Sequence, residues 1–333
     1  MDARIPCKAR PSVLHTVFHE TADETVETME TARGDTDSIL SLFDFSGKLG
    51  ADLHITPQPA QQRWDIIRVI EDSSARGDLP AVEKAFAELQ TSPGRDLLAH
   101  APGSALLIAI QNQYPPIVAH LLEHGAQIGE NHIKIATLKR NTVILDLLLA
   151  YGWDVNKQLE WASPPPMALA VEDSSLTAWF LYHGANPDAR CLLDYTPLSA
   201  AVQYASFPVI KSMFAHGGSI HAGQLLHYAV RRDSQDSLEV LAYLLSKGPA
   251  INDIMYQRDL VSHGQQMMFG LGTALHEAAE RGKLEVVQVL VEHGANPSIK
   301  DTLGHTSMDR AERAGRHSVV VYLNSLTPGS STL

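Results

Sequence analysis

The 25-residue stretch from Thr273 to Pro297 constrains this chain most. Two short apolar-periodic segments, Ala274 to Arg281 and Leu284 to Glu292, are divided by Gly282 and stopped by Gly294. That pattern predicts a helix, a tight turn, a second helix and a glycine exit. Neither helix is long enough to be stable alone in water, and the pair has an apolar side that it cannot cover. Such a hairpin needs a similar neighbour on each face, so the rest of the chain must repeat it.

Thr273-Ala-Leu-His-Glu-Ala-Ala, with Gly282-Lys-Leu and His293-Gly-Ala-Asn-Pro, resembles the ankyrin repeat in spelling and in its period of about 33 residues. The expected fold class is therefore all-α: an ankyrin-repeat solenoid of stacked helix-turn-helix units with short hairpin fingers. Glycines after apolar second helices serve as the ruler. Gly125, Gly152, Gly184, Gly217, Gly248 and Gly294 are 27, 32, 33, 31 and 46 residues apart in succession. Glycine suits a helix exit because the residue there usually needs a positive φ, which costs other residues steric energy.

Counting back from each glycine puts first-helix starts at Ser104-Ala-Leu-Leu, Asn131-His-Ile-Lys, Pro165-Pro-Met-Ala, Thr196-Pro-Leu-Ser, Gln224-Leu-Leu-His and Thr273-Ala-Leu-His. The expected organisation is an acidic arm over residues 1–62, largely disordered, then repeats over 63–326 and a tail over 327–333. Within the repeats, 64–90 forms a divergent N-terminal cap around Ala75-Arg-Gly-Asp-Leu. Units follow at about 102–130, 131–162, 163–194, 195–223, 224–271 and 272–304. A C-terminal cap at 305–326 lacks the exit glycine. The third unit is short by about two residues between Val171 and Gly184. Fingers after Gly125 and Gly217 look clipped, whereas residues 251–272 form a long loop rich in apolar side chains, which is either functional or disordered.

Composition narrows the function. With 38 acidic and 26 basic residues the formal charge is −12, which disfavours direct nucleic-acid binding. Cys7 and Cys191 offer neither a disulfide framework nor a thiolate metal set. No apolar run reaches the roughly 20 residues of a membrane span, and no signal-peptide core is evident, so an intracellular protein, cytoplasmic or nuclear, is expected.

Chemistry-bearing motifs are sparse. His124, His183, His216 and His293 precede exit glycines, and His227 and His276 follow leucine at the start of first helices. The resemblance implies structural hydrogen bonds for them. His15 and His19, followed by Glu20, lack the metalloprotease order in which Glu follows the first His. No phosphate-binding glycine loop, nucleophile elbow or evident catalytic cysteine appears. No catalytic residue, metal or cofactor is expected.

The resemblance implies a non-catalytic protein-protein interaction module, monomeric as a stack, whose variable surface contacts another protein. Mapped onto this chain, the contact positions are Arg190, Leu192, Leu193 and Tyr195 on one finger, and Lys300, Thr302, Leu303 and His305 on another. Glu277 is the exposed position of the inner helix, equivalent to Leu169 and Ala200, and Cys191 is a further finger contact. Met267, Met268 and Phe269 in the long loop join the set, because interfaces favour Met and aromatic residues. In the arm, Ile39, Leu42, Phe43 and Phe45 sit among acids, a composition that either docks on the chain's own first repeat or engages a partner groove. An adaptor or regulator, with a transcriptional coregulator as its specific version, is one reading of such a chain. A scaffold or substrate-targeting subunit of a ligase or kinase complex is a second, and an enzyme built on the repeat surface a third.

Overall fold

The computed structural model of the chain describes residues 59–91, 102–160, 162–191 and 193–326. The expectations for Ile39, Leu42, Phe43, Phe45 and Leu192 fall outside them. Helices follow one another in pairs. The cap comprises α1 (Pro59–Arg76) and α2 (Leu79–Thr91), so its first helix begins ahead of Trp64, with Pro59 at a position where its missing N–H is not needed. The next pairs are α3 (Pro102–Gln111) with α4 (Pro115–Glu123), and α5 (Glu130–Leu138) with α6 (Thr142–Ala150). A single 3-10 turn (Pro166–Leu169) precedes α7 (Ser174–Tyr182). Then come α8 (Pro197–Tyr204) with α9 (Phe207–Ala215), and α10 (Leu225–Arg231) with α11 (Ser237–Leu245). Helix α12 (Leu260–Gln266) stands by itself before α13 (Ala274–Arg281) with α14 (Leu284–Glu292), and α15 (Ser307–Arg313) with α16 (His317–Ser325).

First helices pack in series, from α1 through α3 and α5, the 3-10 turn, α8, α10 and α13 to α15. Second helices form the other row, where α2 meets α4, α4 meets α6, α7 meets α9, and α14 meets α11 and α16. The core lies between the rows. Leu106, Ile110, Leu121, Ile144, Leu148, Phe180, Leu198, Ile210, Leu244 and Leu290 are all sealed from solvent. Among the described residues the only β pairing is a bridge between Glu160 and Ser163.

All six exit glycines have positive φ, from +70° at Gly248 to +99° at Gly217. The expected first helix of the third unit is different. Ala168 N bonds to Pro165 O, Ala170 N to Met167 O and Asp173 N to Ala170 O, each at 2.9–3.0 Å, which is 3-10 winding. The segment still holds the first-helix place between α5 and α8, and Met167 stays fully buried.

Asp173 then caps α7, its carboxylate accepting from Ser175 N and Leu176 N, both at 3.0 Å. Asp173→Ala is expected to cost about 1 kcal/mol, read as a lower urea midpoint.

The long loop is a second correction. Asp259 Oδ1 accepts from Ser262 N at 2.7 Å and starts α12, which runs into a 3-10 turn (Met267–Phe269) that Gly270 ends at φ +79°. Ahead of it, buried Tyr256 holds φ +62°, rare for an aromatic residue, while its N–H donates to Gln224 Oε1 at 3.1 Å.

Candidate partner-binding face

Neighbouring units are tied by side chains that reach the next loop. Asn156 Nδ2 donates to Gly184 O at 3.1 Å, and Asn186 N donates back to Asn156 Oδ1 at 2.7 Å. Asn252 repeats the arrangement with Gly294 O at 3.1 Å and Asn296 N at 2.8 Å. Asp188 Oδ2 accepts from Ser219 N at 2.9 Å. These bonds order the fingers before any partner arrives.

Histidines do the same for helix ends. Nδ1 of His124, His183, His216 and His293 faces the carbonyl four residues back, at 2.7–2.8 Å. His276 Nδ1 accepts from Thr273 N at 3.1 Å, so Nε2–H donates to His305 O in the next unit at 3.1 Å. His227 Nε2 likewise meets Gly272 O at 3.0 Å. Burial, together with the Arg231 charge, pushes the His227 imidazole down to about 4, although Glu277 opposes the shift. A folded-state value below 6.5 means a contribution complete above pH 6.5 and lost as pH falls toward 4. The chain is expected to lose about 2 kcal/mol between pH 6.5 and pH 5 from this group. Thermal melts across that range should show the loss, and His227→Gln should flatten it.

The expected contact positions divide sharply. Lys300 and Leu303 are exposed on their finger, as are Met267, Met268 and Phe269. Thr302 is a brace: its N–H donates to Leu271 O at 2.9 Å, and its hydroxyl accepts from Leu271 N at 2.8 Å and donates to Met267 O at 2.6 Å. His305 N donates to Asp301 Oδ1 at 2.8 Å while its ring meets Arg313 at 2.7 Å.

Leu193 and Tyr195 are corrections, since both are buried beneath the finger, with the Tyr195 ring 5.1 Å from that of Tyr228. Cys191 is buried too, its thiol donating to Leu193 O at 3.1 Å, and burial pushes its pKa up. Of the positions equivalent to Glu277, Ala200 is buried and Leu169 half-buried. Glu277 itself is the largest departure. It accepts from Arg231 at 2.6 Å and from Arg281 at 3.1 Å, and the Arg231 and Glu277 side chains are only 14% and 15% exposed. Burial alone would raise the Glu277 carboxyl, but the Arg231 guanidinium holds it below its ordinary value. Arg231 also lies 4.9 Å from the centroid of Tyr228. Glu277 is thus a tie between α10 and α13 and not a free contact.

Arg190 pairs with Asp259 at the start of α12. Although burial would raise Asp259, hydrogen bonds from Arg190 and Ser262 keep it down at about 2. Behind this pair lies a cleft of about 300 Å³, lined among others by Asp188, Asp194, His221, Gln224, Ile254 and Arg258. Asp194 Oδ2 accepts from Gln224 Nε2 at 2.6 Å. Burial, helped by the Asp194 charge, raises Asp188. Among the described residues no group of three or more His, Cys, Asp or Glu is arranged to hold a metal ion. No helix there is long and apolar enough to cross a membrane.

Leu260, Val261, Arg258 and Asp259 were absent from the expected set. A signal existed: Asp259-Leu-Val-Ser262 is a helix-start spelling, and apolar residues at 260, 261, 267 and 268 share one helical face.

The ankyrin repeat family model matches residues 272–302. The chain is similar to Espin-like protein of Homo sapiens, 44% identical over 55 residues, covering 16% of this chain and 6% of that protein. It is similar to diacylglycerol kinase iota of Mus musculus, 35% identical over 138 residues, 40% of this chain and 12% of the kinase. Similarity is longest with ankyrin repeat and KH domain-containing protein mask-1 of Caenorhabditis elegans among these three, 26% identical over 272 residues, 68% of this chain and 10% of that protein. The chain therefore spans between 6% and 12% of the length of these relatives. With helix pairs stacked in two rows and the family's own signature at 272–302, the chain is an ankyrin-repeat protein.

Proposed function

We propose that the chain is a non-catalytic protein-protein interaction module, acting inside the cell as an adaptor or regulator of another protein. The observation that carries this reading is the ladder of bonds from Asn156, Asn186, Asp188 and Asn252 across successive fingers. A surface already ordered binds a partner with little further loss of conformational entropy. The kinase likeness covers only 12% of that enzyme and carries no activity to this chain. A transcriptional coregulator is the narrower form of the reading, resting on the composition of Ile39–Phe45.

Affinity capture with the intact chain, followed by hydrogen-exchange footprinting of the captured complex, tests it. Protection is expected at the finger segments 186–195, 252–272 and 298–306. Capture of no protein, or turnover of a metabolite by the purified chain, would overturn the reading.

A further inference from the structure

Helix α12 is inside out. Asp259, Ser262, His263 and Gln266 recur at i, i+3, i+4 and i+7, the spacing of one helical face, and that polar face is the one turned to the protein. Ser262 is fully buried, and the Asp259 side chain is 13% exposed. The opposite face is apolar and open: Leu260 is 86% exposed, Val261 48%, Met267 47%, Met268 69% and Phe269 65%. Leu303 from the next finger, 55% exposed, extends it, lying against Gly270, where an added Cβ would come within 3.0 Å of Leu303 Cδ1. Between Leu260 and Met268, Gly264 leaves open space and a dip in the ridge.

The helix is held in this orientation. Arg190 clamps Asp259, the Ser262 hydroxyl accepts from Asp194 N at 3.0 Å, and Thr302 bonds both Met267 O and Leu271. Rolling the apolar face inward would break these bonds and strand the part-buried Asp194 N without an acceptor and Arg190 without its carboxylate, so the ridge stays presented.

We infer that the apolar ridge of α12, with Leu303, is a docking surface for an acidic amphipathic helical segment of a partner protein. The inference rests on the protein-binding reading above and names the surface and the chemistry of its occupant. Charge complementarity selects it. In a chain of net charge −12, the ridge is flanked by Arg258, 67% exposed, by exposed Lys300 on the Leu303 finger, and by exposed Arg313 on the His305 ring. Arg258 is paired with Asp253 at 2.7 Å. Lys300 and Arg313 have no carboxylate ion pair among the described residues. A second copy of the chain would set the same cations against one another. An anionic membrane is the poorer match, since the seven residues of α12 make only two turns, against the longer helices that lie on membranes.

The test uses the full chain and two fluorescein-labelled helical probe peptides. One carries leucine and phenylalanine at i, i+3, i+4 and i+7 with glutamates elsewhere, and its twin has lysines for those glutamates. Anisotropy should show the glutamate probe binding about tenfold more tightly than the lysine twin, with the gap narrowing as salt rises. Met268→Glu and Phe269→Glu, both on exposed side chains, should each weaken the glutamate probe about tenfold while leaving the circular-dichroism melt in place. Lys300→Glu should weaken it about threefold. Equal binding of the two probes, or an unchanged affinity in Met268→Glu and Phe269→Glu, overturns the inference. So does co-sedimentation with phosphatidylserine vesicles, or dimerisation, that Met268→Glu abolishes while the glutamate probe does not compete. A captured partner that Met268→Glu and Phe269→Glu retain would sink this inference alone and leave the protein-binding reading standing.

Discussion

Glu277→Ala is expected to destabilise the chain by about 3–5 kcal/mol, the cost of leaving a buried charge without its partner. Arg231 is bound by Glu277 at 2.6 Å and is only 14% exposed, so removing the carboxylate strands a guanidinium that cannot lose its proton. Met255 Sδ is not a charge partner, although Arg231 approaches it at 3.5 Å. The effect should appear as a lower thermal midpoint and as faster amide exchange in α10 and α13, the two helices that the pair joins. The double variant Glu277→Ala with Arg231→Met should recover most of the loss, because a matched apolar replacement removes both desolvated charges. A melt for Glu277→Ala indistinguishable from the parent would return Glu277 to the surface role that its place in the repeat suggests. The pH dependence follows from the same pair. Glu277 is held below its ordinary value, so its contribution is complete above about pH 4.5 and is lost as pH falls through the folded-state pKa.

Gly223→Ala is expected to cost about 3 kcal/mol, far more than the same change at an exit glycine. Gly223 has φ +71°, and a Cβ there would fall 2.2 Å from Ser199 Oγ and 2.5 Å from Thr196 Oγ1. Those hydroxyls are buried and cannot withdraw: Ser199 Oγ donates to Gly223 O at 2.6 Å, and Thr196 Oγ1 accepts from Ser199 N at 3.1 Å as the cap of α8. The penalty combines a left-handed backbone, about 1–2 kcal/mol, with overpacking of about 1–3 kcal/mol. Gly125 has a similar φ, +87°, but nothing within 4 Å of its missing Cβ. Gly125→Ala should therefore cost only about 1 kcal/mol, and urea titrations of the two variants separate crowding from backbone strain. Equal midpoints would mean that the Thr196–Ser199 pair yields at no cost.

Much of the architecture is local and was readable as such. An exit glycine reports its own φ, and the Thr-Pro-Leu-Ser start of α8 reports its own cap, because each depends on neighbours within four residues. Glycine spacing placed each unit in the stack, but not the 3-10 winding of residues 166–169. The fate of particular surface positions was not local. Leu193 and Tyr195 hold finger positions in the repeat, yet both are buried, Tyr195 against Tyr228 on α10.

By itself, then, the amino-acid sequence determined the repeating helix pair, its glycine exits and the stacking that an unstable hairpin requires, since these follow from hydrogen-bond spacing along one short segment. Tertiary structure alone decided what the surface presents. Arg231 meets Glu277 across 46 residues, and Arg190 meets Asp259 across 69. Electrostatic pairing at such separations depends on how units stack and where an insertion folds back. The same long-range clamps turn the polar stripe of α12 inward and leave Leu260, Met268 and Phe269 facing out.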